Sequence, residues 1–284
     1  MQLPRFERVV VVGVGLIGGS VALAVRERGL ARTVIGISRS PQSVDRLLEL
    51  GVVDEATTNA REALAKADLV VVCSPVGAAV EAVLAGLRDA PEHALVTDAA
   101  STKSGLINQI YAEHPRGGDR YLGAHPLAGD HRSGPEWARA DLFVGATTVV
   151  TPVPQTAPMT SDAISGFWGA LGSRVLSLTP AEHDTRLART SHLPHVVAAA
   201  LAAATSEEDL LLAATGWADT TRVAAGSAAL WRDILMANAP ATAQAIANLQ
   251  MQLTEWSQAI QNADAQRIEQ LLEDGKRRRD ALGS

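Results

Sequence analysis

Along the first half of the chain, apolar residues fall into short, almost unbroken runs separated by stretches of helical spacing. Residues 8–12, 33–38, 69–73 and 94–98 are dominated by valine, isoleucine and leucine, with little polar alternation. Runs of that kind belong to strands covered on both faces, as in a parallel sheet. Between them, residues 21–28, 42–50, 78–88 and 103–113 carry apolar positions three and four apart and predict helices. The strand–helix alternation predicts a parallel sheet with right-handed crossovers. Ser40-Pro41 puts a proline where a helix would begin. Two later strands, 148–151 and 174–177, are joined by a proline-bearing stretch and a helix near 162–170. From Pro180 onward the strand pattern stops, and apolar spacings of three and four predict helices only. The expected division is an α/β domain, residues 1–179, followed by an all-helical domain, residues 180–284.

The first strand leads directly into Gly13-Val14-Gly15-Leu16-Ile17-Gly18 and then a helix. In a G-x-G-x-x-G turn the first glycine permits the tight bend and the second lets backbone approach a pyrophosphate. The third brings helix and strand close together. The free N–H groups of the helix start, here after Gly15 and beside Leu16 and Ile17, favour phosphate. This predicts a Rossmann-type, doubly wound sheet that binds a dinucleotide. At the end of the second strand an acid would bond the ribose 2′-hydroxyl of NAD, but the chain reads Ser38-Arg39-Ser40. A guanidinium between two hydroxyls suits a 2′-phosphate, so NADP is favoured, with NAD as the other choice. Ser74 and Pro75, after the third strand, are expected to wall the cofactor. Cys73 reads as a buried core thiol.

Composition narrows the remaining classes. The chain of 284 residues is 47% hydrophobic and carries a net charge of −6, enough apolar material for real cores and unsuited to phosphate neutralisation on nucleic acid. One cysteine excludes an internal disulfide and a cysteine-rich zinc module. No secretory leader or membrane-length apolar run is visible, so a cytoplasmic protein is expected, without membrane or nucleic-acid partners. The basic run 276–279 reads as a helix C-terminus complementing its dipole.

Candidate chemistry clusters at three places. His125 lies in Gly123-Ala124-His125-Pro126-Leu127, expected as a loop after a short strand, and a neutral imidazole there suits acid–base work. Ser191-His192-Leu193-Pro194-His195 brings two histidines to the start of an apolar helix. No H-E-x-x-H pattern accompanies them, so they are expected to line a pocket rather than hold a metal. Arg222 stands among small and apolar residues, where a cation needs an anionic partner, either Asp219 or a substrate.

The set VVGVGLIGGS, DAAS-TK, GAHPLAG, TSHLPH and D-x-x-R followed by W-R-D-I resembles the prephenate/arogenate dehydrogenase family of tyrosine biosynthesis, in the family's order and across essentially the whole chain. That resemblance implies oxidative decarboxylation of a cyclohexadienol, with hydride passing to NAD(P) and carbon dioxide lost as the ring becomes aromatic. It implies that His125 bonds the ring hydroxyl and that Ser101 positions this histidine and the hydroxyl. Arg222 would grip a substrate carboxylate. Ser191, His192 and His195 would line the side-chain end of the pocket, with Trp231 near it. Asp219 could favour the ammonium of arogenate. Asp130-His131 departs from the Thr-Glu that many relatives have after the GAHPLAG motif. No ACT-type regulatory domain or chorismate mutase segment is visible. The helical part, apolar on more than one face, is expected to form a homodimer. Competing readings are a β-hydroxyacid dehydrogenase or pyrroline-carboxylate reductase type of enzyme, and a non-catalytic NADP-sensing module.

Overall fold

A computed structural model describes residues 6–129 and 132–283, so the Asp130-His131 pair lies outside the described residues. The first half alternates β1 (Phe6–Val12), α1 (Leu16–Glu27), β2 (Ala31–Ile37), α2 (Pro41–Glu49), β3 (Glu55–Thr57), α3 (Ala60–Leu64), β4 (Leu69–Val72) and α4 (Val76–Asp89). It continues with β5 (Leu95–Asp98), α5 (Ser104–Glu113), β6 (Tyr121–Leu127), β7 (Thr147–Thr151), α6 (Pro158–Ala170) and β8 (Arg174–Ser177). These strands form one sheet in the order β3-β2-β1-β4-β5-β6-β7-β8. The valine run of β1 shows why alternation was missing from the sequence. Val9 and Val11 enter a core with α1 and α6, whereas Val10 enters a second core with α3, α4 and α5, and all three are fully buried. Both faces are covered, so both sets of positions must be apolar.

Three details depart from the sequence expectations. β6 and β7 pair antiparallel, not parallel, and the described residues between them form no α-helix to carry the chain back across the sheet. The short β3 and α3 were not anticipated; β3 is held by pairing with β2. His125 lies inside β6, opposite Val149 of β7, instead of in a loop. Pairing of β6 with β5 ends at Leu122, so Pro126 follows where only one side of the strand has a neighbour.

The helical half comprises α7 (Pro180–Leu187), α8 (Leu193–Ala204), α9 (Thr215–Thr221), α10 (Ala228–Ala237), α11 (Ala239–Gln261) and α12 (Ala265–Asp280). Thr179 and Glu182 form a reciprocal capping box at the start of α7. α7 and α8 are joined through one π-helical turn, Ala188–His192. Pro194 follows that turn and has no N–H for the ordinary helical bond, and such turns concentrate at functional sites. No helix among the described residues is long and apolar enough to cross a membrane.

Candidate active site

The nucleotide cradle lies where strand order reverses, between β1 and its neighbours β2 and β4, the switch point at which such sheets bind ligands. Gly13 has φ +87°, and a Cβ there would press on the backbone of Cys73 and Ser74 at 3.0 Å. A Cβ on Gly18 would stand 2.2 Å from the carbonyl oxygen of Gly13. Gly15 meets nothing within 4 Å, which leaves open space directly before α1. That helix start has no side-chain cap and no acid in its first turn, so the N–H groups beside Leu16 and Ile17 remain available to a pyrophosphate. The cradle therefore fits a dinucleotide.

At the end of β2, Arg39 is exposed and makes no ion pair among the described residues. Ser38 is half-buried, its N–H donating to the Thr57 carbonyl at 3.1 Å. The Ser40 hydroxyl is committed to capping α2, accepting from the Ser43 N–H at 3.2 Å. Ser74 is half-buried and Pro75 is exposed at the start of α4. Burial, reinforced by Asp98, pushes the Cys73 thiol well above its ordinary value, so it is no nucleophile at neutral pH.

His125 heads a buried hydrogen-bond chain. Its Nδ1 lies 2.9 Å from Nε2 of His183, whose Nδ1 lies 2.8 Å from Oδ1 of Asp184. Asp184 also accepts from the backbone N–H groups of Lys103 at 2.9 Å and Ser104 at 2.8 Å, at the start of α5. Burial works against its charge, but these bonds outweigh it and hold the Asp184 carboxyl below the ordinary range. Beneath lies a second buried group: Lys103 is paired with Asp98, which also accepts from the Tyr121 hydroxyl at 2.7 Å. Burial lowers the Lys103 ammonium against the opposing pull of Asp98. His125 itself is held well below its usual range, first by burial and then by His183, Lys103 and His192, with Asp184 opposing. The result is a neutral imidazole at physiological pH.

The chain continues into the helical half. Asn238 donates to the carbonyl oxygen of Asp184 at 2.8 Å and lies 3.2 Å from Nδ1 of His192. Burial lowers His192 to about 4 despite Asp184. Trp231 stacks on His195 with ring centroids 3.2 Å apart and meets His192 edge-on at 6.3 Å. His195 is anchored by the Ser191 carbonyl at 3.2 Å, and burial lowers its pKa. The structure thus gathers His125, Ser191, His192, His195 and Trp231 into one connected wall.

Other sites fall outside that chain. Ser101 is half-buried between β5 and α5, but the hydrogen-bond partner of His125 is His183, not Ser101. Arg222 was expected to need an anionic partner, either Asp219 or a substrate. It is exposed in the turn after α9, and no ion pair joins it to the equally exposed Asp219. Small neighbours there reflect an exposed turn rather than an apolar core. His183, Asp184 and Asn238 were not anticipated as site residues. The adjacent His-Asp was their only local signal. No group of three or more His, Cys, Asp or Glu among the described residues is arranged to hold a metal.

Comparison with known proteins agrees with this architecture. Residues 21–177 match the family model for the prephenate dehydrogenase nucleotide-binding domain, and residues 179–274 match that for the prephenate dehydrogenase dimerization domain. A prephenate dehydrogenase from Bacillus subtilis is 32% identical over 82% of this chain, a match spanning 64% of that relative's length. A cyclohexadienyl dehydrogenase from Zymomonas mobilis is 30% identical over 98% of this chain and 96% of its own. Among solved structures, prephenate dehydrogenase from Aquifex aeolicus, in complex with hydroxyphenyl propionate and NAD+, is 30% identical. It covers 97% of this chain and 98% of its own, with a TM-score of 0.90. Synechocystis arogenate dehydrogenase is 29% identical over 97% of this chain and 99% of its own, with a TM-score of 0.85. The nucleotide cradle, the histidine wall and these likenesses together place the chain in the prephenate dehydrogenase family, the NAD(P)-dependent oxidative decarboxylases of tyrosine biosynthesis.

Proposed function

We propose that this chain acts on prephenate or arogenate with NADP preferred over NAD, using His125 as the group that takes the ring hydroxyl's proton. Residues 1–179 would hold the cofactor, while residues 180–284 would complete the substrate pocket and pair two copies of the chain. The observation that carries the reading is the neutral imidazole of His125, at the head of a buried chain leading to His192, His195 and Trp231. When bound, the nicotinamide supplies the hydride acceptor. The hydroxyl donates to His125, and as the carbonyl forms the imidazole takes the proton, which burial has kept off it beforehand. Ser101, in the β5–α5 turn, would help position this histidine and the hydroxyl. Ser191, His192 and His195 line the side-chain end, where the flat Trp231–His195 stack favours a planar group. Arg222, with no ion pair among the described residues, binds a substrate carboxylate, and Asp219 stands three residues away on α9.

NADP preference is supported by Ser38-Arg39-Ser40, a guanidinium with no ion pair among the described residues and no acid at the β2 end. A homodimer is supported by the uncovered apolar surface of the helical half and by the dimerization-domain match. The test is His125→Asn, assayed with prephenate and arogenate and with each cofactor by absorbance of the reduced nicotinamide. The expected outcome is a loss of kcat on the order of 10²–10⁴ with nucleotide affinity retained. Unchanged turnover would remove His125 from the chemistry, and no turnover of either substrate by the unsubstituted protein would return the sensing module or another oxidoreductase class to consideration.

A further inference from the structure

The hydrogen-bond chain behind His125 has a direction, and that direction decides which nitrogen of the catalytic ring is free. Asp184 is acceptor-only. Its carboxylate is fixed by two backbone N–H groups at the start of α5, where a helix N-terminus favours negative charge. Nδ1 of His183, 2.8 Å from Oδ1, must therefore carry a proton. The neutral ring then has a bare Nε2, which faces Nδ1 of His125 at 2.9 Å. Two bare nitrogens at that distance would oppose lone pair to lone pair, so Nδ1 of His125 must be the donor. A charged His183 would reverse the order, but it would enclose an imidazolium, 0% exposed, directly against the His125 ring.

Resting on the assignment of His125 as the proton acceptor, we propose that His183 and Asp184 are positioning residues. They hold His125 in the tautomer protonated at Nδ1, so that Nε2 presents its lone pair to the substrate hydroxyl. Nε2 is the ring nitrogen without a protein partner among the described residues. The wrong tautomer would offer the hydroxyl a donor instead of an acceptor, and no proton could be taken. The arrangement also makes catalysis depend on the union of the two halves. His125 comes from β6, but its tautomer is set from α7, and α7 is tied to the β5–α5 turn through the same Asp184. Fixing one ring nitrogen through the partner of the other is how histidine ligands and bases are generally set.

The experiment uses the full chain labelled with 15N-histidine. Long-range proton–nitrogen correlations report which imidazole nitrogen is protonated, and the His125 signals are those lost in His125→Gln. At neutral pH His125 is expected to show a protonated Nδ1 and a bare Nε2. In His183→Phe that preference should vanish, and kcat should fall on the order of 10²-fold with KM little changed. His183→Gln should restore most of both, because its amide NH2 can donate to Asp184 while its oxygen accepts from His125. A proton on Nε2 of His125 in the unsubstituted protein overturns the proposal, as does a Gln variant no better than Phe. If His183→Phe does not fold, the tautomer of the unsubstituted protein and that of His183→Gln decide alone. An active His125→Asn would end the catalytic reading while leaving the tautomer result standing. A wrong tautomer in an enzyme that needs His125 would end only this inference.

Discussion

The proposed preference for NADP turns on single side chains at the end of β2. Of the two hydroxyls flanking Arg39, that of Ser40 is occupied in capping α2, so the grip on a 2′-phosphate would fall on Arg39 with Ser38 beside it. A charge-assisted bond of this kind contributes about 1.5–3 kcal/mol. Arg39→Ala should therefore cut kcat/KM for NADP by about tenfold or more and leave that for NAD unchanged. Because Arg39 is exposed and makes no ion pair among the described residues, the thermal midpoint should not move. Initial rates with both cofactors check this, and an intact NADP preference would refute it. The glycines were legible because each solves a backbone problem within six residues of sequence. His183 was not, since its partner His125 is 58 residues away and its neighbours Thr179 and Glu182 look like an ordinary helix start. For Arg222 the sequence left the partner open, because small neighbours are common to buried helices and to exposed turns.

Among the elements, the α7–α8 pair carries the most titratable burial. His192 sits in the π turn, 1% exposed, with Asn238 and Thr242 near Nδ1 and Trp231 across its ring. Asp184 raises its pKa, His183 and His195 lower it, and burial, the largest influence, brings it to about 4. An unfolded histidine titrates near 6.5, so between these values the unfolded chain binds the extra proton. Stability must then fall as pH drops from about 6.5 towards 4, by up to roughly 3 kcal/mol from this residue. His125, also depressed, adds in the same sense. Urea midpoints at pH 7 and pH 5 measure the effect, and His192→Asn should show a smaller drop. An equal drop in both proteins would refute the assignment. The same scale shows what patterning reveals. Strands β1, β2, β4 and β5 were readable because burial on two faces forces apolar runs. β3 is three partly exposed residues ordered by β2, and the antiparallel sense of β7 is set by tertiary pairing that leaves no periodic trace.

The two halves differ in how complete they are as single copies. The sheet has a filled core on each face, including Trp168, Phe143 and Phe167 on one side and Tyr121 and Ile110 on the other. In the helical half, α8 is apolar around its whole circumference, yet Ala198 is its only buried residue. Leu201 on α8 is 39% exposed, Leu211 and Leu212 are 87% and 85% exposed, and Met236, Met251 and Ile260 are exposed as well. A helix apolar on all sides belongs inside a structure, and in the proposed homodimer a second copy would supply the missing cover through a self-complementary face. His195, on α8, and Trp231, on α10, belong to the same half, so an unpaired chain would lose substrate binding before nucleotide binding. Sedimentation at micromolar concentration should show one species of twice the chain mass. Leu201→Glu should shift it towards the monomer and raise KM for the cyclohexadienol while leaving nucleotide affinity in place. A stable, fully active monomer would show that α8 needs no partner.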